Sequence, residues 1–186
     1  MSSHTVLLGV TGGIAAYKSA ALVSLLTQSG LSVRVIMTRN AAELVGPRTF
    51  QSLSGAPVFI DMFSEKDASH PHIDLARQAS VLCIAPATAN FLAKAANGIA
   101  DDLLSTTYLA FEGPILVAPA MNGVMWAKPA TQRNVKTLCE DGVEFVGPES
   151  GRFSCGEAGV GRMSEPDQIA QRILQIINRR EQGVSR

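Results

Sequence analysis

The chain has no charge to spare: 16 basic and 16 acidic side chains cancel over 186 residues. That balance excludes the broad positive field that gathers nucleic acid or an anionic membrane, so a phosphate-bearing ligand would need local donors. No apolar run approaches the roughly 20 residues that span a bilayer. The opening Met1-Ser2-Ser3-His4 lacks the basic and apolar segments of a secretion signal, and a cytoplasmic protein is expected. Cysteine is scarce: Cys83, Cys139 and Cys155 are odd in number and show no CxxC spacing. This speaks for reduced thiols and against a disulfide framework or a zinc site. Charged residues reach only 17% against 46% hydrophobic ones. A chain of this size and composition buries roughly 70% of its unfolded surface in one domain. That domain is expected over residues 1–180, with 181–186 as a C-terminal tail.

What is present is alternation of strand and helix patterns. Thr5–Val10 is a short apolar run that ends in Thr11-Gly12-Gly13, residues 14–29 read as a helix closed at Gly30, and Ser32–Met37 is again β-rich. Strand, turn, helix, strand is the unit of a parallel sheet. Residues 58–63 form a third candidate strand. Residues 81–85 and 115–118 are near-continuous apolar runs, as strands covered on both faces require. Helical patterns follow at Ala89–Ala96, 101–110 and 128–140; a last strand is expected at 143–146 and a closing amphipathic helix at 166–180. The expected fold is α/β: a doubly wound, mostly parallel, Rossmann-like sheet in a single domain, its site at the carboxyl ends of the strands. Two stretches resist the pattern. Residues 64–72 are polar, and 147–164 hold five glycines without a period. Connections of that length usually serve as lids or binding loops.

The glycine turn Gly12-Gly13-Ile14 brings backbone N–H groups and a helix N-terminus to the sheet edge, where an anion is favoured. It is neither a P-loop nor a GxGxxG fingerprint. A tight turn that needs glycine only for packing is an equal reading. After the second strand stand Thr38-Arg39-Asn40, donors better suited to a phosphate than to a ribose diol; NADP stays open at this point. Thr88, in Pro86-Ala87-Thr88-Ala89-Asn90, is placed to cap a helix or to face a ligand. Ser105, Thr106 and Thr107 read as helix positions with local backbone bonding. Met121, Met125 and Trp126 read as packing at helical spacing. His72 follows His70 in a polar stretch. A helix-capping role is its default, and no acidic or thiol cluster supports a metal. Cys155 lies between Ser154 and Gly156 in a segment too polar for a core. An unperturbed thiol titrates near ~8.5, so it is protonated at neutral pH and suits a proton donor.

The runs Pro119-Ala120-Met121-Asn122-Gly123-Val124-Met125-Trp126 and Ser154-Cys155-Gly156-Glu157-Ala158-Gly159-Val160-Gly161-Arg162-Met163 resemble those of the homo-oligomeric flavin-containing cysteine decarboxylases. The branch most similar is the one acting in coenzyme A synthesis. The likeness runs from Thr5 to the closing helix; alanine is usual where Ser154 stands. The resemblance implies FMN as cofactor, with Gly12, Gly13, Ile14, Thr38, Arg39, Asn40, Thr88, Ala89, Asn90, Phe91 and Ala120 around it. It implies His72 as catalytic histidine, Asn122 as ligand of the substrate carboxylate, and Cys155 as proton donor. Arg152, Ser154 and Met163 match substrate-contacting positions.

The implied reaction turns 4′-phosphopantothenoylcysteine into 4′-phosphopantetheine: the thiol-bearing carbon is oxidised to a thioaldehyde, CO2 leaves, and the enethiol is re-reduced. The implied partners are copies of the chain, as a trimer or dodecamer with flavin near a subunit interface, and a fused or separate phosphopantothenoylcysteine synthetase. The alternatives are a peptidyl-cysteine decarboxylase that stops at the enethiol, a flavin prenyltransferase of related fold, and a non-catalytic flavin-binding regulatory subunit. The prenyltransferase would leave the Asn122 and Cys155 motifs unexplained. The regulatory subunit could lose His72 or Cys155 without penalty.

Overall fold

In the computed structural model the described residues are 4–62, 71–152 and 158–183, with Arg152 described in its backbone only. Six strands form a wholly parallel sheet in the order β3-β2-β1-β4-β5-β6. They are β1 Thr5–Val10, β2 Ser32–Met37, β3 Val58–Phe59, β4 Val81–Ala87, β5 Ile115–Pro119 and β6 Glu144–Phe145. Alternate strand residues serve opposite faces. Val6, Leu8, Val33, Val35, Val81 and Cys83 pack on one side with α1 (Ala16–Gln28), and with Phe50 and Ile173 from α3 (Pro47–Ser54) and α9 (Pro166–Glu181). Leu7, Ile36, Leu82 and Ile84 pack on the other side. Their partners are Leu75 of α4 (Pro71–Gln78), Leu92 of α5 (Ala89–Ala96), Leu104 of α6 (Leu103–Ala110) and Leu138 of α8 (Pro129–Glu140). Burial on both faces is why the strands read as unbroken apolar runs. Each fully buried leucine contributes about 1.5–3 kcal/mol.

Local chemistry sets the element ends. In α1 the apolar positions Leu22, Val23 and Leu26 are buried, and Ser19, also buried, donates Oγ to the Ala85 carbonyl at 2.6 Å. The helix stops where Gly30 takes φ +82°, its N–H closing on the Thr27 carbonyl. Asp102 caps α6, accepting the Ser105 N–H at 2.8 Å. Thr106 and Thr107 donate their hydroxyls back to the Asp102 and Leu103 carbonyls, the local bonding expected of them. Glu144 is held by Arg172 and Arg179, both at 2.6–2.7 Å, which ties α9 to the β6 edge.

Several sequence expectations need correction. The first helix starts at Ala16, because residues 12–15 are spent on the turn. The third strand has only Val58–Phe59, as a sheet edge offers a single neighbour, and the last is Glu144–Phe145. The segment 147–164 is no plain loop. It holds an antiparallel ribbon of β7 (Glu149–Arg152) and β8 (Ala158–Arg162), whose glycine-rich composition hides the alternation of a strand. Short helices α2 (Arg39–Ala42) and α7 (Gly123–Ala127), together with α3 and α4, also escaped the pattern reading.

The sheet is tightly packed at Gly9. A Cβ there would come within 2.6 Å of Leu104 Cδ1 and 2.7 Å of Ile84 Cδ1. Both are mobile side-chain ends, so Gly9→Ala is expected to fold but lose about 1–3 kcal/mol in urea denaturation. Adding Leu104→Val should cost less than the sum of the single changes, and strict additivity would contradict the packing account.

Candidate functional site

The helices that follow β1 and β4 lie on opposite faces of the sheet, which opens a crevice at the carboxyl ends of these neighbours. Thr11 bridges the gap: its Oγ1 donates to the Pro86 carbonyl at 2.7 Å and accepts the Thr88 N–H at 3.0 Å. Thr38 caps α2 through the Ala41 N–H at 3.2 Å, and Thr88 caps α5 through the Phe91 N–H at 3.4 Å. The first-turn amides of α5 carry the positive end of its dipole at this edge. Gly12 packs so closely on α2 that a Cβ would collide with Cβ of Asn40. The turn therefore has to be glycine for a reason of space.

Two cavities meet at Gly12. One, of about 510 Å³, is polar: Thr38, Arg39, Asn40, Asn90, Lys94, Asp61, Asp101 and Asp102 line it, with Phe91 among its apolar walls. The other, of about 680 Å³, is apolar and sulfur-rich, with Gly13, Ile14, Thr88, Ala89, Ala120, Met121, Asn122, Met125 and Met163 in its wall. All eleven positions that the sequence placed around a cofactor line one of these two cavities, and Asn122 and Met163 line the second.

Asn122 follows β5 and is the N-cap of α7, where Oδ1 accepts the Val124 N–H at 2.8 Å. The oxygen serves the cap, and the amide nitrogen is a donor of the kind that suits a carboxylate. Met121 N–H donates to the Gly161 carbonyl at 2.9 Å, joining the β5 exit to the ribbon. Met121 and Trp126 pack on the core as expected, whereas Met125 is 47% exposed and faces the cavity. His72, near the start of α4, is half-buried and lines neither cavity. Cys155, Ser154 and His70 lie outside the described residues, as does the side chain of Arg152.

Both cations of the polar cavity are paired, and its three carboxylates outnumber them. Arg39 pairs with Asp61 at 2.7 Å, and Lys94 with Asp101 and Asp102 at 2.6 and 2.8 Å. Partial burial works to raise the Asp102 carboxyl, yet hydrogen bonds from Lys94 and Ser105 prevail and hold it below the usual carboxylate range. For Lys94, partial burial works downward, and the two aspartates overcome it and push the ammonium up. An anionic ligand here depends on hydroxyls, amides and backbone N–H groups rather than on net charge. Cys83 belongs to the core: burial pushes its thiol up to about 12, which removes it from chemistry at neutral pH. Pattern reading did not select Tyr17, Lys18 and Lys94, took Met125 only as packing and gave Arg162 no role, yet all five line the cavities. Tyr17 and Lys18 had a signal, since they sit in the first helical turn after the glycines.

Comparison with known proteins agrees with this geometry. The sequence profile of the family described as Flavoprotein matches residues 1–178. The coenzyme A biosynthesis bifunctional protein CoaBC of Bacillus subtilis is 48% identical over 172 residues, covering 92% of this chain and 42% of that protein. CoaBC of Haemophilus influenzae is 45% identical over 170 residues, covering 91% and 42%. The chain therefore spans less than half the length of these curated relatives. Among solved structures, a PPC decarboxylase mutant complexed with pantothenoylaminoethenethiol superposes with a TM-score of 0.83 at 31% identity, covering 93% of this chain and 97% of that one. The FMN-dependent cysteine decarboxylase SpaF superposes with a TM-score of 0.79 at 39% identity, with the same coverages.

Asp102 gives this wall a pH signature. Because its folded pKa is depressed, its stabilisation is present above the ordinary carboxylate range and lost as pH falls through the folded value. Asp102→Asn keeps an N-cap acceptor and removes the charge. It should destabilise by under ~1 kcal/mol at neutral pH, allowing for partial exposure, and the deficit should vanish in acid. Thermal melts of both proteins across pH read this directly, and a deficit that persists in acid contradicts the pairing.

Proposed function

The chain belongs to the flavoprotein family, and we propose that within it the chain is an FMN-dependent carboxy-lyase. Its substrate on this reading is 4′-phosphopantothenoylcysteine and its product 4′-phosphopantetheine, a step of coenzyme A synthesis. One observation carries the reading. Gly13, Thr88, Ala120, Asn122 and Met163, from four separate segments, share the wall of one apolar cavity that has Gly12 in common with a polar one. The relatives named for coenzyme A biosynthesis and the PPC decarboxylase likeness support the same substrate.

The residues present fit FMN. Gly12 lines both cavities, and a Cβ there would collide with Asn40, a polar-cavity residue of α2, so only glycine lets the turn and α2 stand this close around a ligand. Thr38, Asn40, Asn90 and the α5 amides would hold the phosphate end, while Ile14, Ala89 and Ala120 would border the ring. When bound, FMN supplies a reversible two-electron acceptor, the sink that loss of CO2 from a cysteine otherwise lacks. The Asn122 amide would orient the substrate carboxylate, with Arg152, Ser154 and Met163 against the rest of the molecule. Cys155 would protonate the carbon that has lost CO2, a role that contributes typically ~10²–10⁴-fold.

His72 lines neither cavity within one chain, which favours a site completed across a contact between copies. Ile14 and Tyr17, 63% and 61% exposed at the cavity mouth, favour it too. A homo-oligomer, trimer or dodecamer, is accordingly part of the proposal, as is a fused or separate synthetase that supplies the substrate. The decarboxylase domain is placed at residues 1–180 and the tail at 181–186. A cytoplasmic setting accords with the absence, among the described residues, of any helix long and apolar enough to cross a membrane.

Incubation with phosphopantothenoylcysteine and, separately, with a peptide ending in cysteine should release CO2 only from the first and yield the saturated thiol, 4′-phosphopantetheine. Enethiol from the peptide alone would move the protein to peptide modification. Cys155→Ser is expected to release CO2 but stall at the enethiol; saturated product from this variant would remove Cys155 from the mechanism. His72→Asn and Asn122→Asp should each be inactive alone and regain activity when the subunits are mixed. Mixed oligomers without activity would contradict a shared site.

A further inference from the structure

The apolar cavity carries two charged side chains among the described residues, Lys18 and Arg162, both cationic. They belong to distant segments, the first turn of α1 and the end of β8, and they meet on a single carboxylate. Glu165 Oε1 accepts from Lys18 Nζ at 2.7 Å and from Arg162 at 3.4 Å. The same lysine donates to the Met163 carbonyl at 3.3 Å, although its side chain is only 10% exposed. Glu165 in turn is set by its place at the start of α9, where its N–H donates to Gln168 Oε1 at 2.9 Å. Glu165 and Arg162 are 52% and 40% exposed, so the constraint falls on nearly buried Lys18, whose ammonium would be left without its carboxylate if Glu165 were removed.

We propose that Glu165 is a positioning residue for the decarboxylation: it holds Lys18 and Arg162 together and thereby seats Met163 and the end of the ribbon against the substrate. The triad joins α1 to the junction of β8 and α9 at the cavity wall. Its net charge of one plus leaves the wall attractive to an anionic substrate without two unshielded cations competing for it. This inference rests on the substrate reading above.

Glu165→Gln is nearly isosteric, keeps a hydrogen-bond acceptor and removes the shared charge; Lys18→Met removes the buried cation instead. In the FMN-loaded protein each variant should keep the visible flavin spectrum and raise KM for phosphopantothenoylcysteine about tenfold, with kcat within ~3-fold of wild type. The double variant should lose no more than the worse single one, as residues acting as a unit do. In the flavin-free protein, amide hydrogen exchange over residues 158–164 should speed up in both variants. Unchanged KM in Glu165→Gln, additive losses in the double variant, or unaltered exchange would each overturn the proposal. Faster exchange in the variants of a wild-type protein inert to this substrate would support the anchoring and overturn the substrate reading alone.

Discussion

The chain that leaves β1 turns to one face of the sheet and the chain that leaves neighbouring β4 turns to the other. The gap between these two exits is the constraint on which the rest depends. A parallel sheet buries both faces, so its edge of strand ends is where backbone amides and short polar side chains can meet a ligand. Thr11 spans the gap with two hydrogen bonds to the β4 exit. Gly12 then passes so near Asn40 that only hydrogen fits between them. The cavities on either side differ in chemistry because different exits wall them: hydroxyl, amide and ion pairs after β2 and β4, methionine and Asn122 after β5.

Rigidity and access are divided between parts of the molecule. The glycine turn, both threonine caps and Asn122 are set by strand ends whose side chains are fully buried. Among the described residues the ribbon is tied down by the Met121–Gly161 bond, the Ser164–Glu149 bond at 2.9 Å, the packing of α7 on β8, and the lysine and arginine gathered by Glu165. A cofactor would bind the rigid part. The substrate would meet both. This division suits chemistry in which one molecule stays and another comes and goes.

Much of this was legible in the residues. β1 and β2 begin and end where the apolar runs do, and β4, β5, α5 and α9 lie within two residues of expectation. Unbroken burial and clear stops such as Gly30 made them so. The two-residue edge strands β3 and β6 carry too little alternation to be read, and the ribbon's Gly151, Gly159 and Gly161 carry none. At the site, residues next to the glycines and strand ends were found because local sequence places them there. Lys18, Arg162 and Glu165 were not, because Lys18 lies 147 positions from Glu165 and the two meet only once the chain has folded. His72 was singled out by resemblance, and a single copy of the chain does not bring it to either cavity.

The central claim is that the paired cavities on either side of Gly12 accept a phosphorylated flavin. Flavin-free protein equilibrated with FMN or with riboflavin, then desalted, tests it most directly. The account predicts that FMN stays bound in equimolar amount and riboflavin washes away, and that Gly12→Ala, still folded by circular dichroism, holds neither. Wild-type protein that emerges colourless, or a Gly12→Ala variant that retains FMN as well as wild type, would contradict it.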